Sequence, residues 1–475
     1  MGVSSQVRVR LESRTSGNEC CRFLARHRRA GPGPRFGFAL RNYCSDKLSE
    51  GMLASADPSR KPTSPKGRSF NSWLKNVDLK MIADQVGTPV FIYSEAQLRR
   101  NLGRVRSAAQ AAGLGERVEL YVPFFPNSNP HVLRPLQELG VGLLLQLPGE
   151  YEILRQFGFD RFIVSPGHVA DEEITFWSRT GHPTFLSSVG EVEYALRSKA
   201  PTISVRVDSL DSGKPGVKIG ELERLTRLLR EYDRELECFE VYCGSGNSRD
   251  EMIGIIETMF RIFNDHFPSA RSVNFAGGHG FAYEEWDESA KHFDWHEYFQ
   301  ALAETARRKD IPPHVRFLFE PARDVLADTA VLLLGVKREV ISNPVSSLVP
   351  TDGSRMLMPS AQLRDRRHNI VFFDADMAEL TGESSTSAAL RGRTILRNDY
   401  ILPGEYPVPA GVDARSYVAI FDVGAYCATQ HMEFLNVPPP AEVLVDVDGA
   451  AHLITSRGDD LDKWRNLLFG RKKLS

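Results

Sequence analysis

Short strand-like segments alternate with longer helix-like segments through the middle of this chain, and this alternation restricts the fold more than any other feature. The strand-like segments are 118–122, 142–145, 161–164, 202–207, 238–241, 272–275 and 316–319. Helix-like segments between them include 131–138, 149–156, 219–232 and 250–267. Alternation over roughly 240 residues is typical of parallel βα units. It predicts an α/β protein with a closed (β/α)8 barrel.

The segments on either side of the barrel differ from it and define the predicted domains. Before the barrel, a short strand at 87–93 leads into a helix at 94–112, for which Ser94 is the candidate N-cap. After about residue 325, segments rich in β-branched residues are separated by Gly, Pro and Asp, which is typical of antiparallel sheet. We predict an N-terminal strand and helix at 76–102 that join the β domain, a barrel at 103–325, and a mostly antiparallel β domain at 326–475.

Residues 1–75 have a different composition from the rest of the chain. They are rich in arginine, carry Gly-Pro-Gly-Pro at 31–34, and show no steady apolar period. This predicts a disordered leader or a start placed too early, with Met52 as the alternative start. Arginine-rich, acid-poor segments also serve as transit peptides, although Glu12, Glu19 and Asp46 weaken that interpretation.

Charge, apolar runs and cysteine spacing exclude several classes of partner. The net charge of the 475 residues is -2, so no global charge favours nucleic acid or an anionic membrane. No segment approaches the ~20 apolar residues that span a bilayer. The 6 cysteines form neither a CxxC pair nor a zinc spacing. We therefore predict a cytoplasmic protein with no nucleic-acid partner, no membrane partner and no metal site.

Glycine-rich and charged motifs follow three of the predicted strands directly. They are Cys-Gly-Ser-Gly at 243–246, Ala-Gly-Gly-His-Gly at 276–280 and Glu-Pro-Ala-Arg at 320–323. Barrel enzymes carry their active sites at this end of the strands, and glycines there let backbone N–H groups approach a phosphate. Either glycine loop alone is more often an ordinary turn. The three motifs in this order indicate a phosphate site.

The order of these motifs resembles that of the fold-type III, pyridoxal-phosphate-dependent decarboxylases of ornithine, diaminopimelate and arginine. The resemblance covers roughly residues 85–450 and is closest to the diaminopimelate branch. It includes Phe-Asp-Val-Gly-Ala-Tyr at 421–426, which is similar to the D-x-G-A-Y motif of the family. It implies an alanine-racemase-type barrel, pyridoxal 5'-phosphate as cofactor, a small amino acid as substrate, and a homodimer with sites at the subunit interface.

The resemblance assigns the cofactor phosphate to residues in all three motifs. Ser245 matches the serine of the H-x-G-S motif, and Gly277 and Gly278 match the glycine loop. Arg323 matches the arginine of E-P-G-R, whose fork of donors suits a phosphate.

The resemblance also implies contacts with the cofactor ring and the substrate. Glu320 matches the carboxylate beside the pyridine nitrogen, where an anion favours the protonated ring that accepts the carbanion left by CO2. Tyr242 replaces a histidine that stacks on the ring, and tyrosine can also stack. Asp399 and Tyr426 match family residues at the substrate.

The departures from the family fall on the groups that do covalent chemistry. The segment at 121–130 resembles Y-x-V-K-A-N-x-N, whose lysine forms a Schiff base with the cofactor; aligned on the two asparagines, Phe125 takes the place of that lysine. Ile395 replaces the cysteine that returns a proton, and Phe434 replaces a tyrosine that contacts the phosphate. Leu144 and Leu147 replace the aspartate and serine of the D-V-x-S segment. No catalytic residue is assigned.

Three other residues are candidates to replace the lost amine or the lost proton donor. Lys214 and Lys218 lie in a loop at 213–220, where solvated lysines are common, and Lys218 matches the family's S-K-F-G-I. His279, in the glycine loop, can stack or transfer a proton, but a polar loop residue is the more common role.

The sequence therefore predicts a diaminopimelate-decarboxylase-like protein with a pyridoxal-phosphate-type site. A copy without the lysine suggests a role in specialised amino-acid or antimetabolite biosynthesis, such as tabtoxin synthesis. The alternative is an inactive homologue with a binding or regulatory role. It is suggested because the catalytic or cofactor-binding residues of the family are replaced at all three of Phe125, Ile395 and Phe434. A barrel that binds a different phosphorylated ligand is a third possibility.

Overall fold

The computed structural model describes residues 72–208, 214–342 and 347–458. The predictions for the leader before residue 72, including its cysteines and Met52, lie outside the described residues. The described chain begins with a 3₁₀ turn, Ser72–Asn76, in which Trp73 and Leu74 are buried. The indole Nε1 of Trp73 donates to the Asp328 carbonyl oxygen at 3.2 Å, so this turn is attached to the main body.

The described residues form the following elements. The strands are β1 Val90–Ser94, β2 Val118–Pro123, β3 Gly142–Leu145, β4 Phe162–Val164, β5 Phe185–Leu186, β6 Ser204–Asp208, β7 Val217–Lys218, β8 Cys238–Val241, β9 Ser272–Asn274, β10 Arg316–Phe319, β11 Ala330–Gly335, β12 Ile341–Ser342, β13 Ser347–Pro350, β14 Ile370–Phe373, β15 Ser384–Arg391, β16 Tyr406–Pro409, β17 Tyr417–Phe421, β18 Ala441–Val445 and β19 Ala451–Thr455. The helices are α1 Leu79–Val86, α2 Glu95–Ala111, α3 Pro130–Glu138, α4 Pro148–Gln156, α5 Asp171–Thr180, α6 Val189–Arg197, α7 Leu222–Glu231, α8 Arg249–His266, α9 Glu288–Lys291, α10 Trp295–Arg308, α11 Arg323–Leu326 and α12 Pro359–Leu363.

Parallel strands form the predicted barrel in the order β4–β3–β2–β10–β9–β8–β6–β5. A parallel bridge between Val164 and Thr184 joins the two edges, and the Val164 amide donates to the Pro183 carbonyl at 2.8 Å. The (β/α)8 prediction is confirmed. The strand β5 was not predicted, because two residues are too few to show a period.

The interior of the barrel changes from apolar to polar along the strands. Its lower layer is an apolar cluster of Tyr121, Leu144, Ile163, Phe185, Cys238 and Leu318. Inward-facing side chains on a strand are two residues apart. Ser165, Glu240 and Glu320, each two residues beyond a member of this cluster, therefore lie nearer the carboxyl ends of the strands, and all three are buried. The polar side of the barrel is the side that carries the glycine motifs.

The β domain contains two sheets, and the strand order explains why the N-terminal strand belongs to it. One sheet has the order β14–β17–β11–β1–β18–β19 and the other has the order β12–β13–β15–β16. The strand β1 pairs antiparallel with β11 and parallel with β18, and all five of its residues are buried. The pairing of β13 with β15 is also parallel. The prediction of a mostly antiparallel domain is confirmed.

A buried polar network supports the segment that follows β10. The Asp324 carboxylate accepts from the Arg104 guanidinium at 2.6 Å and from the Trp295 indole at 2.6 Å. His292 contacts Asp324 through Nδ1 at 3.1 Å and Asp328 through Nε2 at 3.2 Å. Burial disfavours the charged imidazole, but these two carboxylates outweigh it and raise the pKa of His292 to about 9. The network holds α11, and with it Arg323, against α2 and α10.

We expect His292→Asn to lower stability near pH 6.5 and to remove most of the pH dependence between pH 6.5 and 9. The folded-state pKa of His292 is raised, so its contribution is fully present below about 6.5 and is lost as the pH rises through about 9. The shift corresponds to at most about 3 kcal/mol of unfolding free energy at the acid end. Urea unfolding across this pH range measures it.

The exposed pair of His452 and Asp446, 2.7 Å apart, provides the control for this prediction. The His452 side chain is 55% exposed, so His452→Asn should change unfolding free energy by less than about 0.5 kcal/mol at any pH. Equal effects from the two substitutions would contradict the role assigned to the buried network.

Candidate active site

The two glycine loops at the end of β8 and β9 are hydrogen-bonded into one unit. The Asn247 amide donates to the Gly278 carbonyl at 2.8 Å, and the Gly280 amide donates to the Asn247 carbonyl at 2.9 Å. Gly278 has φ +104°, and a Cβ there would collide with the carbonyl oxygen of Gly244. A side chain at Gly277 would likewise lie 2.6 Å from the Glu320 carbonyl oxygen. The tight packing of the loops therefore requires glycine at both positions, and glycine loops of this kind can cradle an anion through their backbone N–H groups.

Arg323 lies at the start of α11 with its charge turned toward an aromatic ring. Its guanidinium carbon is 4.6 Å from the ring centre of Tyr426. The Nε atom is buried and has no hydrogen-bond partner among the described residues. A buried guanidinium donor without an acceptor is costly, so this atom marks a place for an anion. Burial raises the pKa of Tyr426 to about 12 although Arg323 opposes it, so the phenol keeps its proton at neutral pH.

Phe125 lies beside this pair, at the carboxyl end of β2. Its ring centre is 6.1 Å from that of Tyr426, and its side chain is 37% exposed. The Tyr426 amide donates to the Pro126 carbonyl at 2.7 Å, and the Asn127 amide side chain donates to the Gly424 carbonyl at 3.2 Å. These bonds fix the position of the 421–426 motif against the segment that lacks the lysine.

Tyr242 contacts both a lysine and the glycine loop 243–246, which follows β8. Its hydroxyl is 2.5 Å from the Ser245 hydroxyl, which belongs to the loop after β8. The Lys214 ammonium nitrogen lies 3.7 Å from the centre of the Tyr242 ring. The tyrosine therefore occupies the barrel mouth, as its proposed stacking role requires, and its ring face carries a cation.

Glu320 is buried above the apolar layer of the barrel. The Asn274 side-chain amide donates to its Oε1 at 2.7 Å. Burial first, and then the charge of Glu240, raise the pKa of Glu320 well above its ordinary value, although Asn274 and Arg206 oppose this. The charged form of Glu320 is therefore disfavoured at this buried position.

Glu240 and Arg206 are site residues that the sequence analysis missed. Arg206 Nε donates to Glu240 Oε1 at 2.8 Å, and the Ser165 hydroxyl donates to Glu240 Oε2 at 3.1 Å. The sequence does carry a signal for them, because each is a charged residue inside a strand whose other residues are buried. Glu240 is also two positions from the inward-facing Cys238. Strand alternation places such charges inside the barrel.

Three further positions implied by the resemblance belong to the β domain. The Asp399 carboxylate is buried and accepts from Ser354 Oγ at 3.1 Å, from the Arg355 amide at 2.7 Å and from Thr394 Oγ1 at 2.6 Å. Burial opposes its charge, but these bonds lower its pKa. Ile395 is 94% exposed and Phe434 is 54% exposed. The substrate role of Asp399 stays a prediction, and in this chain Asp399 organises its own loop.

His279 packs in the aromatic core and Lys218 forms an ion pair. His279 is buried, with its ring centre 4.2 Å from that of Trp295, and burial lowers its pKa to about 4. It is a neutral core residue and not the polar loop residue that the sequence suggested. Lys218 forms an ion pair with Asp208 at the end of β6.

Within 72–208, 214–342 and 347–458, every helix is too short or too polar to span a membrane. The same ranges contain no group of three or more His, Cys, Asp or Glu side chains that could hold a metal ion.

Comparison with known proteins agrees with this geometry. No family model matches the chain. A diaminopimelate decarboxylase of Methanothermobacter thermautotrophicus is 23% identical over 396 residues, which are 78% of this chain and 90% of the relative. The crystal structure of a diaminopimelate decarboxylase from M. jannaschii, in complex with L-lysine, has a TM-score of 0.71 at 19% identity, covering 82% of this chain and 93% of that one. The chain is therefore similar to diaminopimelate decarboxylases in sequence and in fold.

A second solved structure extends the comparison within this family. A lysine/ornithine decarboxylase from Vibrio vulnificus, in complex with cadaverine, has a TM-score of 0.65 at 17% identity, covering 78% of this chain and 97% of that one. The shared architecture therefore includes the β domain as well as the barrel. The resemblance to these decarboxylases implies pyridoxal 5'-phosphate as the cofactor.

The residues of this chain fit that cofactor at two of its three attachment points. The glycine cradle and the unpartnered Arg323 Nε suit a phosphate, and buried Glu320 suits a ring nitrogen. The third point does not fit, because Phe125 has no amine where the fold-type III family has its lysine. These residues could hold the cofactor through its phosphate and its ring nitrogen, and position 125 contributes no covalent link.

Proposed function

We propose that this chain binds pyridoxal 5'-phosphate at the barrel mouth and uses it on an amino acid of the diaminopimelate class, in specialised amino-acid or antimetabolite biosynthesis. The observation that carries the proposal is the buried Arg323 Nε, which has no partner among the described residues and adjoins Tyr426 beside the lysine-equivalent position. Drift in a disused site would give no reason to keep a buried guanidinium N–H without an acceptor, because such a group costs folding free energy.

Each residue of the site has a separable task in this proposal. Arg323, Ser245 and the Gly278 loop hold the phosphate. Burial favours the protonated form of Glu320, whose carboxyl oxygen beside Asn274 would face the ring nitrogen and could share its proton with it. The cofactor, when bound, supplies the electron sink for the pair of electrons that CO2 leaves behind. Phe125 and Tyr426 cover the mouth and limit the access of water.

The proposal includes a homodimer. In one chain, Ile395 and Phe434 are exposed apolar side chains, at 94% and 54%. The family resemblance assigns their positions to active sites at a subunit interface, so exposure in one chain agrees with burial in a dimer. Small-angle scattering or sedimentation of the purified protein tests this part of the proposal.

A non-catalytic binding protein is the second candidate. It is favoured by Phe125, whose partly exposed phenyl ring occupies the position of the lysine, and by the loss of the cysteine at Ile395. The two candidates differ in one measurement. Release of labelled CO2 from carboxyl-labelled amino acids, including diaminopimelate, supports the enzyme, and cofactor binding without any release supports the binding protein.

We expect Arg323→Ala to weaken the binding of pyridoxal 5'-phosphate by about 10- to 100-fold, because a charge-assisted hydrogen bond contributes roughly 1.5–3 kcal/mol. Equilibrium dialysis measures the affinity without relying on turnover. Inorganic phosphate should compete with the cofactor in the wild type and compete much less in the variant. Retention of both affinity and phosphate competition in Arg323→Ala would contradict the proposed phosphate site.

Arg367→Ala is the matched control. The Arg367 guanidinium also lies over a tyrosine ring, 4.7 Å from the centre of Tyr406, but it belongs to the β domain and its side chain is partly exposed. We expect this substitution to leave the affinity within about twofold, a difference of about 0.4 kcal/mol.

A further inference from the structure

Arg366 is a second arginine whose charge faces an aromatic ring close to the proposed phosphate site. Its guanidinium carbon lies 4.5 Å from the ring centre of Tyr283. The charges of Arg366 and Arg323 both act on this phenol, where they oppose the rise in pKa that burial causes. Across the ranges that the structure describes, no acidic side chain forms an ion pair with either arginine. Both charges therefore call for anionic groups that these residues do not supply.

Tyr283 adds a buried hydrogen-bond donor beside Arg366. It is 8% exposed, and its hydroxyl has no hydrogen-bond partner among the described residues. Burial raises the pKa of Tyr283 to about 12 although Arg366 and Arg323 oppose this, so the phenol keeps its proton at neutral pH. A buried hydroxyl without a partner costs free energy of folding. A protonated phenol and a guanidinium can both donate, so an anion is the acceptor that suits them best.

The helix α12 holds Arg366 close to the motif that carries Tyr426. The Ser360 hydroxyl in this helix donates to the Tyr426 carbonyl oxygen at 2.8 Å. Just past the end of the helix, the Arg366 amide donates back to the Ala361 carbonyl oxygen at 2.8 Å. Burial raises the pKa of Tyr426, and the charges of Arg323 and Arg366 both oppose that rise. The two arginines therefore lie close enough to one motif to act on the same ligand.

Acidic side chains near this place are engaged with other cations. The Asp422 carboxylate, whose charge also acts on the Tyr283 phenol, lies 2.8 Å from the Lys291 ammonium. Glu284 lies 3.8 Å from Arg367, the neighbour of Arg366 in the chain. The countercharge for Arg366 is therefore left to a ligand.

We propose that Arg366 and Tyr283 bind a carboxylate of the amino-acid substrate, while Arg323 holds the cofactor phosphate. This inference rests on the proposed function, because it needs the cofactor and the amino acid in one site. A guanidinium can bind a carboxylate through two parallel N–H donors, and the phenol supplies a third donor. An amino acid of the diaminopimelate class carries two carboxylates, so one remains for this place after the other has left as CO2.

Reduced conjugates of the cofactor test the inference without turnover, because their C–N single bond is inert. Phosphopyridoxyl-diaminopimelate and phosphopyridoxyl-cadaverine share the phosphate and the ring, but only the first has carboxylates. Calorimetry with the full-length wild type should show at least about tenfold tighter binding of the diaminopimelate conjugate, as expected for charged hydrogen bonds. Arg366→Ala should reduce this preference to less than about threefold and leave the affinity for the cadaverine conjugate within about twofold.

Two further variants separate the carboxylate contact from other effects. Tyr283→Phe keeps the ring beside Arg366 and removes the hydroxyl, so it should lower the preference by about threefold. Arg367→Ala is the matched control, since the Arg367 guanidinium also lies over a tyrosine ring, and it should keep the full preference.

The outcomes distinguish this inference from the proposed function. Equal weakening of both conjugates in Arg366→Ala would assign Arg366 to the phosphate and overturn the inference alone. Equal affinity of the wild type for the two conjugates would also overturn it alone. Failure of the wild type to bind either conjugate or pyridoxal 5'-phosphate would overturn the proposed function and the inference together.

Discussion

Phe125→Lys is expected to give an absorbance band at roughly 410–430 nm on addition of pyridoxal 5'-phosphate, where imines of this cofactor absorb. The substituted amine would emerge at the carboxyl end of β2, next to Tyr426. Phe125 is 37% exposed, so its replacement opens no core cavity and the fold should be retained. A reversible covalent link added to the existing charged contacts should raise the affinity at least about tenfold, or about 1.4 kcal/mol.

The control for this substitution is Phe125→Met, which removes the ring without providing an amine. It should show no new band and little change in affinity. Binding of the cofactor to Phe125→Lys without the band would show that position 125 does not face the aldehyde, and the alignment would be wrong.

The barrel could be predicted from the sequence because its strands are short, buried and bounded by turns. The predictions for 142–145, 238–241 and 316–319 agree with β3, β8 and β10 at both ends. In such parallel units every strand is covered by helices, so apolar runs and helical periods alternate along the chain. Pairings between distant segments could not be predicted in the same way. The parallel pairing of β1 with β18 joins residues about 350 positions apart, and no local pattern encodes it.

The site was predicted where its residues directly follow a strand. The loops at 243–246 and 276–280 and the pair of Glu320 and Arg323 all follow that rule, and the structure places them at one end of the barrel. Glu240 and Arg206 were missed because they lie within strands, where a single charge looks like an exception to an apolar run. His279 was misjudged because glycine loops are usually solvated, whereas this one is covered by the aromatic side chains of α10.

The charge of Glu240 affects the protonation of Glu320, and therefore the role that the resemblance implies for Glu320. Burial alone already disfavours the charged form of a carboxylate in this position. The nearby charge of Glu240 raises the pKa of Glu320 further, so the protonated form is favoured by both effects. The Arg206 guanidinium, which pairs with Glu240, opposes this shift in part.

Asp422→Asn is expected to destabilise the protein by about 3–5 kcal/mol, because it leaves the Lys291 ammonium buried without its countercharge. Lys291 Nζ lies 3.0 and 2.8 Å from the two Asp422 oxygens, and the two side chains are 3% and 0% exposed. Asparagine suits the test because Asp422 has φ +61°, a conformation that asparagine tolerates. Urea unfolding at pH 8 measures the loss; burial raises the pKa of Asp422 to about 6 although Lys291 opposes it, so the carboxylate is ionised there.

Two controls make this result specific to burial. Lys80 and Asp84 form an exposed pair at 2.6 Å, and Asp84→Asn should cost less than about 0.5 kcal/mol. The double variant Lys291→Met with Asp422→Asn should recover at least half of the loss, because the unpaired charge is gone. Asp422 also begins the segment that carries Gly424 and Tyr426, so the single variant should bind the cofactor more weakly and the double variant should regain part of that affinity. Equal losses from Asp422→Asn and Asp84→Asn would show that this pair does not hold the 421–426 motif in place.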